Sequence, residues 1–159
     1  MNCGRPYPET GDAMLRKLFA LVVCVLVAQT AVRADEPNGD AKKVEGTWLP
    51  TKMELAGTPL PDEVMKSIKM VLEKDKYLVT VGAQKDEGTT KVDAKAKPKA
   101  MDITGTEGPN KGKTFLAIYE LNGDELKICY DLSGKERPKK FETKPNTQLF
   151  LAIYQREKK

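Results

Sequence analysis

The chain contains no histidine. That removes the usual general base at neutral pH and the commonest transition-metal ligand. Serine is nearly as scarce: Ser67 falls in an expected helix and Ser133 in a Ser-Gly turn, and neither context sets up a nucleophile. The carboxylates Asp93, Asp102 and Asp131 could pair across strands for acid chemistry, but no calcium-loop spacing accompanies them. The residues therefore point to a protein that is not an enzyme, with no catalytic residue, no metal site and no cofactor.

Cysteine is also sparse, at Cys3, Cys24 and Cys129. The first two lie in a segment that reads as a secretory signal over residues 1–34. Arg16-Lys17 precedes the apolar run Leu18 to Ala28, and Val32-Arg33-Ala34 offers a cleavage site before Asp35. The run falls short of the roughly 20 residues of a membrane span, and Met1 and Met14 are both candidate starts. Export to a periplasmic or extracellular space is expected, with no membrane span in the mature chain. Cys129 alone then remains, so stability must come from a packed core and not from an internal disulfide. Pairing between chains through Cys129 stays open beside its reading as a half-buried apolar residue.

A strong charge of either sign is missing too. Subtracting Arg5, Arg16, Lys17 and Arg33 from the 27 bases, and Glu9 and Asp12 from the 23 acids, leaves a net charge of +2. No nucleic-acid footprint follows from so mixed a surface. Gly108 to Thr114 looks like a phosphate loop, but it has three residues before its Gly-Lys-Thr where four are needed. An expected strand follows it, not the helix whose N-terminal amides would hold a phosphate.

What the chain does have is strand pattern. Lys113 to Leu121 and Asp124 to Leu132 read as a hairpin about Asn122-Gly123. Pairing Leu121 with Asp124 sets Tyr119 opposite Leu126, Ala117 opposite Ile128 and Phe115 opposite Tyr130 on one apolar face. Phe150-Leu151-Ala152-Ile153-Tyr154 in the last strand repeats Phe115-Leu116-Ala117-Ile118-Tyr119 residue for residue. Both are apolar on two faces, so each expects an interior on one side and a helix or loop on the other.

Further strands are expected from Val44 with an interruption at Pro50, over Tyr77 to Val81, Glu87 to Asp93 and Ala100 to Thr104, and over Thr147 to Arg156. Asp35 to Lys43 reads as a flexible leader and Ser133 to Asn146 as a long polar connection. One helix is expected over Pro61 to Lys74, from proline in the first turn, Asp62 and Glu63 at its positive end, and Val64, Ile68, Val71 and Leu72 at helical spacing. The sum is an all-β dominated domain over residues 44–157: a small antiparallel barrel of seven or eight strands with one inserted α-helix, an open sandwich being the alternative.

Several motifs then point the same way. They are Glu45-Gly46-Thr47-Trp48, Lys97-Pro98-Lys99-Ala100-Met101-Asp102-Ile103, Gly112-Lys113 with Ile118-Tyr119-Glu120-Leu121, Gly123-Asp124 with Leu126-Lys127-Ile128-Cys129-Tyr130, and Glu136-Arg137-Pro138 with Phe141. Through them the chain resembles an exported lipocalin-like domain family expanded in planctomycete bacteria, a family to which no activity is attached. The resemblance implies a lipocalin-like β-barrel. Lipocalins carry a Gly-x-Trp on the first strand and a late arginine stacked across that tryptophan, so it also implies a structural pair of Trp48 and Arg156. A helix after the first strand would be a departure, since lipocalins place their long helix after the barrel.

On that footing Phe115, Tyr119, Leu126, Ile128 and Tyr130 are the candidate ligand-binding residues, facing the barrel interior. The leading expectation is a non-catalytic domain binding a small apolar or amphipathic ligand. The alternative is a cell-envelope structural or interaction module with a filled core, its partner an envelope protein met through loops or the face bearing Cys129. Cavity volume separates the two, with about 300 Å³ as the floor for a ligand site.

Overall fold

The computed structural model describes residues 39–158; the expected signal, residues 1–34, and the start of the leader lie outside them. A short helix α1 (Gly39–Lys43) precedes β1 (Gly46–Leu55), a two-residue strand β2 (Thr58–Pro59) and a one-turn helix α2 (Asp62–Lys66). Seven strands follow: β3 (Ile68–Glu73), β4 (Lys76–Val81), β5 (Gln84–Asp93), β6 (Ala100–Glu107), β7 (Thr114–Asn122), β8 (Glu125–Asp131) and β9 (Leu149–Arg156). From β3 to β9 each strand pairs antiparallel with the next, and β1 pairs with both β3 and β9. Eight strands thus close a lipocalin-like barrel, with β2 added at the end of β1. Among the described strands, closure leaves no long free edge. Among the described residues no helix is long and apolar enough to cross a membrane.

The helix expected over Pro61 to Lys74 is confined to Asp62–Lys66. Ser67 ends it, its hydroxyl donating to the Val64 carbonyl at 2.7 Å, and the chain then extends into β3. Val64, Ile68 and Leu72 are spaced by four, a multiple of both the helical and the strand repeat in practice. Met70 decides between them: Ile68, Met70 and Leu72 are buried while Lys69 and Glu73 are exposed, an alternation of two. Pairing on both sides then outweighs local helix preference. With that helix reduced to one turn, the departure from lipocalin architecture is reduced with it.

The hairpin is present with a corrected register. Its loop is Gly123-Asp124, with Asn122 paired to Glu125, so Tyr119 faces Ile128, Ala117 faces Tyr130 and Ile118 faces Cys129. Gly123 has φ +60°, which suits a turn with glycine at its first central position. The shift moves each partner by two residues, and an even shift keeps every side chain on its expected face. Phe115 thus loses Tyr130 as its direct partner yet keeps it diagonally, with ring centroids 5.7 Å apart. Elsewhere β5 begins earlier and β6 runs further than their patterns indicate, and β1 carries an irregularity between Pro50 and Lys52.

The outer face of β7 to β9 is covered, as strands apolar on both faces require. Ile118, Cys129 and Leu151 form a small buried cluster beneath Phe141 of the 132–148 connection. That connection is held down by Arg137, which reaches the Asp102 carboxylate at 2.5 Å and the Ala117 carbonyl at 2.5 Å.

One barrel end is closed by Trp48, which is fully buried and donates its ring N–H to the Val44 carbonyl at 2.9 Å. The Arg156 guanidinium lies 4.2 Å from the centre of its ring. The same group donates to the Lys43 carbonyl at 2.8 Å, to the Glu45 carbonyl, and to Asp124 at 3.1 Å. Gly46 makes room for it: a Cβ there would sit 2.5 Å from the guanidinium, and its φ of +136° suits only glycine. The Gly-x-Trp spacing is therefore one device with Arg156. Residues 39–43, expected to belong to a flexible leader, fold as α1 and dock here. Asp40 accepts from Lys99 at 2.5 Å and from the Tyr119 hydroxyl at 3.0 Å.

Two outcomes follow for thermal melts. Arg156→Ala removes the stacked cation and its hydrogen bonds and is expected to lower stability by about 2 kcal/mol. Trp48→Phe lowers it too, Arg156→Lys recovers only part, and unchanged melting temperatures would refute the closure role. The Lys99 hydrogen bond holds the Asp40 carboxyl below its ordinary value against the opposing effect of burial. A lowered carboxyl stabilises the fold above its unfolded pKa, and the contribution is lost as pH falls through the folded one. The stability gap between the protein and Asp40→Asn, read by denaturant titration, should therefore shrink below about pH 4.

Candidate functional site

The barrel interior is not filled. A cavity of about 250 Å³, open to solvent at one end, is walled by Met53, Met70, Tyr77, Met101, Phe115, Ile128, Tyr130, Phe150 and Tyr154 among others. Native interiors leave few voids larger than a water molecule, so this one exceeds imperfect packing. It falls below the 300 Å³ floor, which counts against a ligand of ordinary drug size and towards the filled-core alternative; only a smaller molecule fits, of the kind that an apolar cavity of about 150 Å³ already takes up. Depressions beside α1, lined by Lys42, Glu45 and their neighbours, are surface features.

Topology explains the opening. Trp48, α1 and the Gly123-Asp124 turn gather at the closed end, whereas the α2 segment, the β4–β5 turn and the 108–113 loop gather at the other. There Gln84, Lys85, Asp86, Pro109 and Asn110 form a polar mouth over an apolar shaft. Asp86 organises it, accepting from the Tyr77 hydroxyl at 3.0 Å, the Asn110 side chain at 2.9 Å and the Asn110 backbone N–H at 3.1 Å. The loop that looked like a phosphate loop is thus the lip of the cavity, pinned through Asn110, and it leads into β7.

Of the five expected residues, Phe115, Ile128 and Tyr130 line the cavity. Tyr119 and Leu126 are buried on the same face but do not line it; Tyr119 reaches down to Asp40. The sequence twins therefore part company. Tyr119 helps close one end while Tyr154 walls the cavity, because strands in a tilted barrel are staggered. Met53 and Met101 were missed for want of a strong local signal, and Ile68, Met70 and Leu72 because their segment reads as helix. Phe150 and Tyr154 carried a usable one, since the repeat puts them on the same face as Phe115 and Tyr119.

The polar groups considered for chemistry have local duties. Asp93 accepts from the backbone N–H groups of Lys95 and Ala96, Asp102 pairs with Arg137, and Asp131 accepts from the Ser133 N–H at 2.8 Å and hydroxyl at 2.6 Å. Among the described residues no group of three cysteine or acidic side chains is placed to hold a metal ion. Compared with known proteins, the chain matches no family model, no curated protein and no solved structure.

Cys129 is fully buried, and burial pushes its thiol up to about 11. Only the thiolate reacts, so an aromatic disulfide reagent should modify the folded protein at least about tenfold more slowly than the unfolded chain. Phe141→Ala uncovers the thiol and should restore most of that rate. Equal rates for the two folded proteins would show that Phe141 is not the cover.

Proposed function

We propose that this is an exported lipocalin-like domain, of the family its motifs resemble, that holds a small, mainly apolar or amphipathic molecule in its barrel without transforming it. The observation that carries the reading is the open 250 Å³ cavity with an apolar shaft and a polar mouth. An apolar cavity of about 150 Å³ takes up benzene, so this volume suits one bicyclic ring system or a short chain. A larger ligand would leave its polar part outside, at Lys85, Asp86 and Asn110. Most of the exposed large apolar side chains support the same picture: Leu55, Val64, Val81 and Leu132 belong to segments at the open end, where an amphipathic molecule would enter, while Leu49 lies next to Trp48 towards the closed end.

The test is fluorescence titration with N-phenyl-1-naphthylamine, which brightens in apolar sites. The full chain should bind it, and Ile128→Trp or Ile103→Trp, which fill the shaft, should weaken binding at least about tenfold. Binding unaffected by both fillers would place the dye elsewhere and refute the reading. Native mass spectrometry of protein from its own source complements this, since a retained small molecule supports the proposal and a retained protein supports the envelope-module alternative.

A further inference from the structure

The apolar cavity presents phenol hydroxyls that no described protein group occupies. Tyr130 and Tyr154 both line it, and neither hydroxyl has a hydrogen-bond partner among the described residues. Among the described residues no buried side-chain oxygen lacks a partner, so these two hydroxyls are open to the cavity, and each is left to a water or to an occupant. Tyr77, the third phenol on the wall, shows the usual solution by donating to Asp86. At the other two positions the donors face an otherwise apolar cavity and are available to whatever enters it. The hydroxyls therefore read as a recognition element.

Their setting defines what they recognise. Burial raises both phenols well above their ordinary value, so each stays a neutral O–H donor at any physiological pH. Tyr154 lies within electrostatic reach of Tyr130, and Tyr130 of the Asp86 carboxylate. Asp86 is already bonded to Tyr77 and Asn110, so it tightens the mouth while its charge disfavours an anion inside. Lys85, the one cation among the lining residues, is solvent-exposed, where its attraction is screened.

Resting on the reading of the barrel as a ligand site, we infer that its occupant carries a neutral hydrogen-bond acceptor, a carbonyl, ether or hydroxyl oxygen, turned inward onto Tyr130 and Tyr154, and that the cavity rejects carboxylates. A purely hydrocarbon occupant leaves both donors unpaired. A carboxylate sheds its hydration beside Asp86 without a cation to replace it. A neutral oxygen satisfies the phenols at small desolvation cost.

Three probes of nearly equal shape test this by displacing N-phenyl-1-naphthylamine: 2-acetylnaphthalene, 2-isopropylnaphthalene and 2-naphthoate. In the unaltered chain the ketone should bind at least about tenfold tighter than the carboxylate. Tyr154→Phe and Tyr130→Phe, made singly and together, should each weaken the ketone about fivefold while leaving the hydrocarbon within about twofold. Melting curves establish that each variant is folded, and either single variant suffices should the double variant fail to fold. If ketone and hydrocarbon change in parallel, or if 2-naphthoate binds as well as the ketone, the inference is overturned while the cavity reading stands. If no probe and no dye binds, both fall together.

Discussion

Arg156 stacked on Trp48 joins the last strand of the barrel to the first, and most of the closed end is arranged around that contact. The guanidinium is in place because β9 pairs with β1, with Arg156 directly across from Trp48. It lies flat over the indole because Gly46 has no side chain to obstruct it. Its remaining donors draw in the backbone of Lys43 and Glu45, which fixes where α1 ends, and Asp124, which fixes the β7–β8 turn. A lysine could supply the charge but not a planar group with several donors in fixed directions. With this end closed, the cavity among the described residues opens at the opposite one.

The two ends differ in how they treat polar atoms. At the closed end Asp40, Lys99 and Tyr119 satisfy one another, and Tyr119 is spent as a structural hydroxyl. Towards the open end Tyr77 and Asn110 satisfy Asp86, while Tyr130 and Tyr154 are left over. Four tyrosines on the inner wall thus divide into two that hold the barrel together and two that do not. That division adds a chemical preference to the cavity, which by its volume admits only a small molecule.

Much of this was legible beforehand, and the failures have physical causes. Strand alternation gave the inner face of β7 and β8 correctly even though the turn was placed one residue early, because facing depends on parity and survives an even slip. The pairing of Trp48 with Arg156 was legible only through the resemblance to lipocalins, whose Gly-x-Trp and late arginine have counterparts at these positions. The segment from Pro61 was misread because spacing by four fits both periods, and only pairing with β1 and β4 selects the strand. Tyr119 and Leu126 were misplaced for a different reason. Sequence tells which way a side chain faces but not how far along a tilted barrel it sits, and the boundary between wall and floor is a matter of stagger.

The seam between β1 and β9 also governs when the fold can exist at all. Its partners Trp48 and Arg156 are separated by nearly the whole described chain, and every strand between them must be laid down in order before they meet. With β1 and β3 to β8 made, seven of the eight barrel strands, the chain still has no enclosed interior until the eight residues of β9 arrive. Contacts this distant in sequence make for slow, late folding. The enclosed interior is therefore the last feature to appear, because it waits on the strand furthest along the described chain.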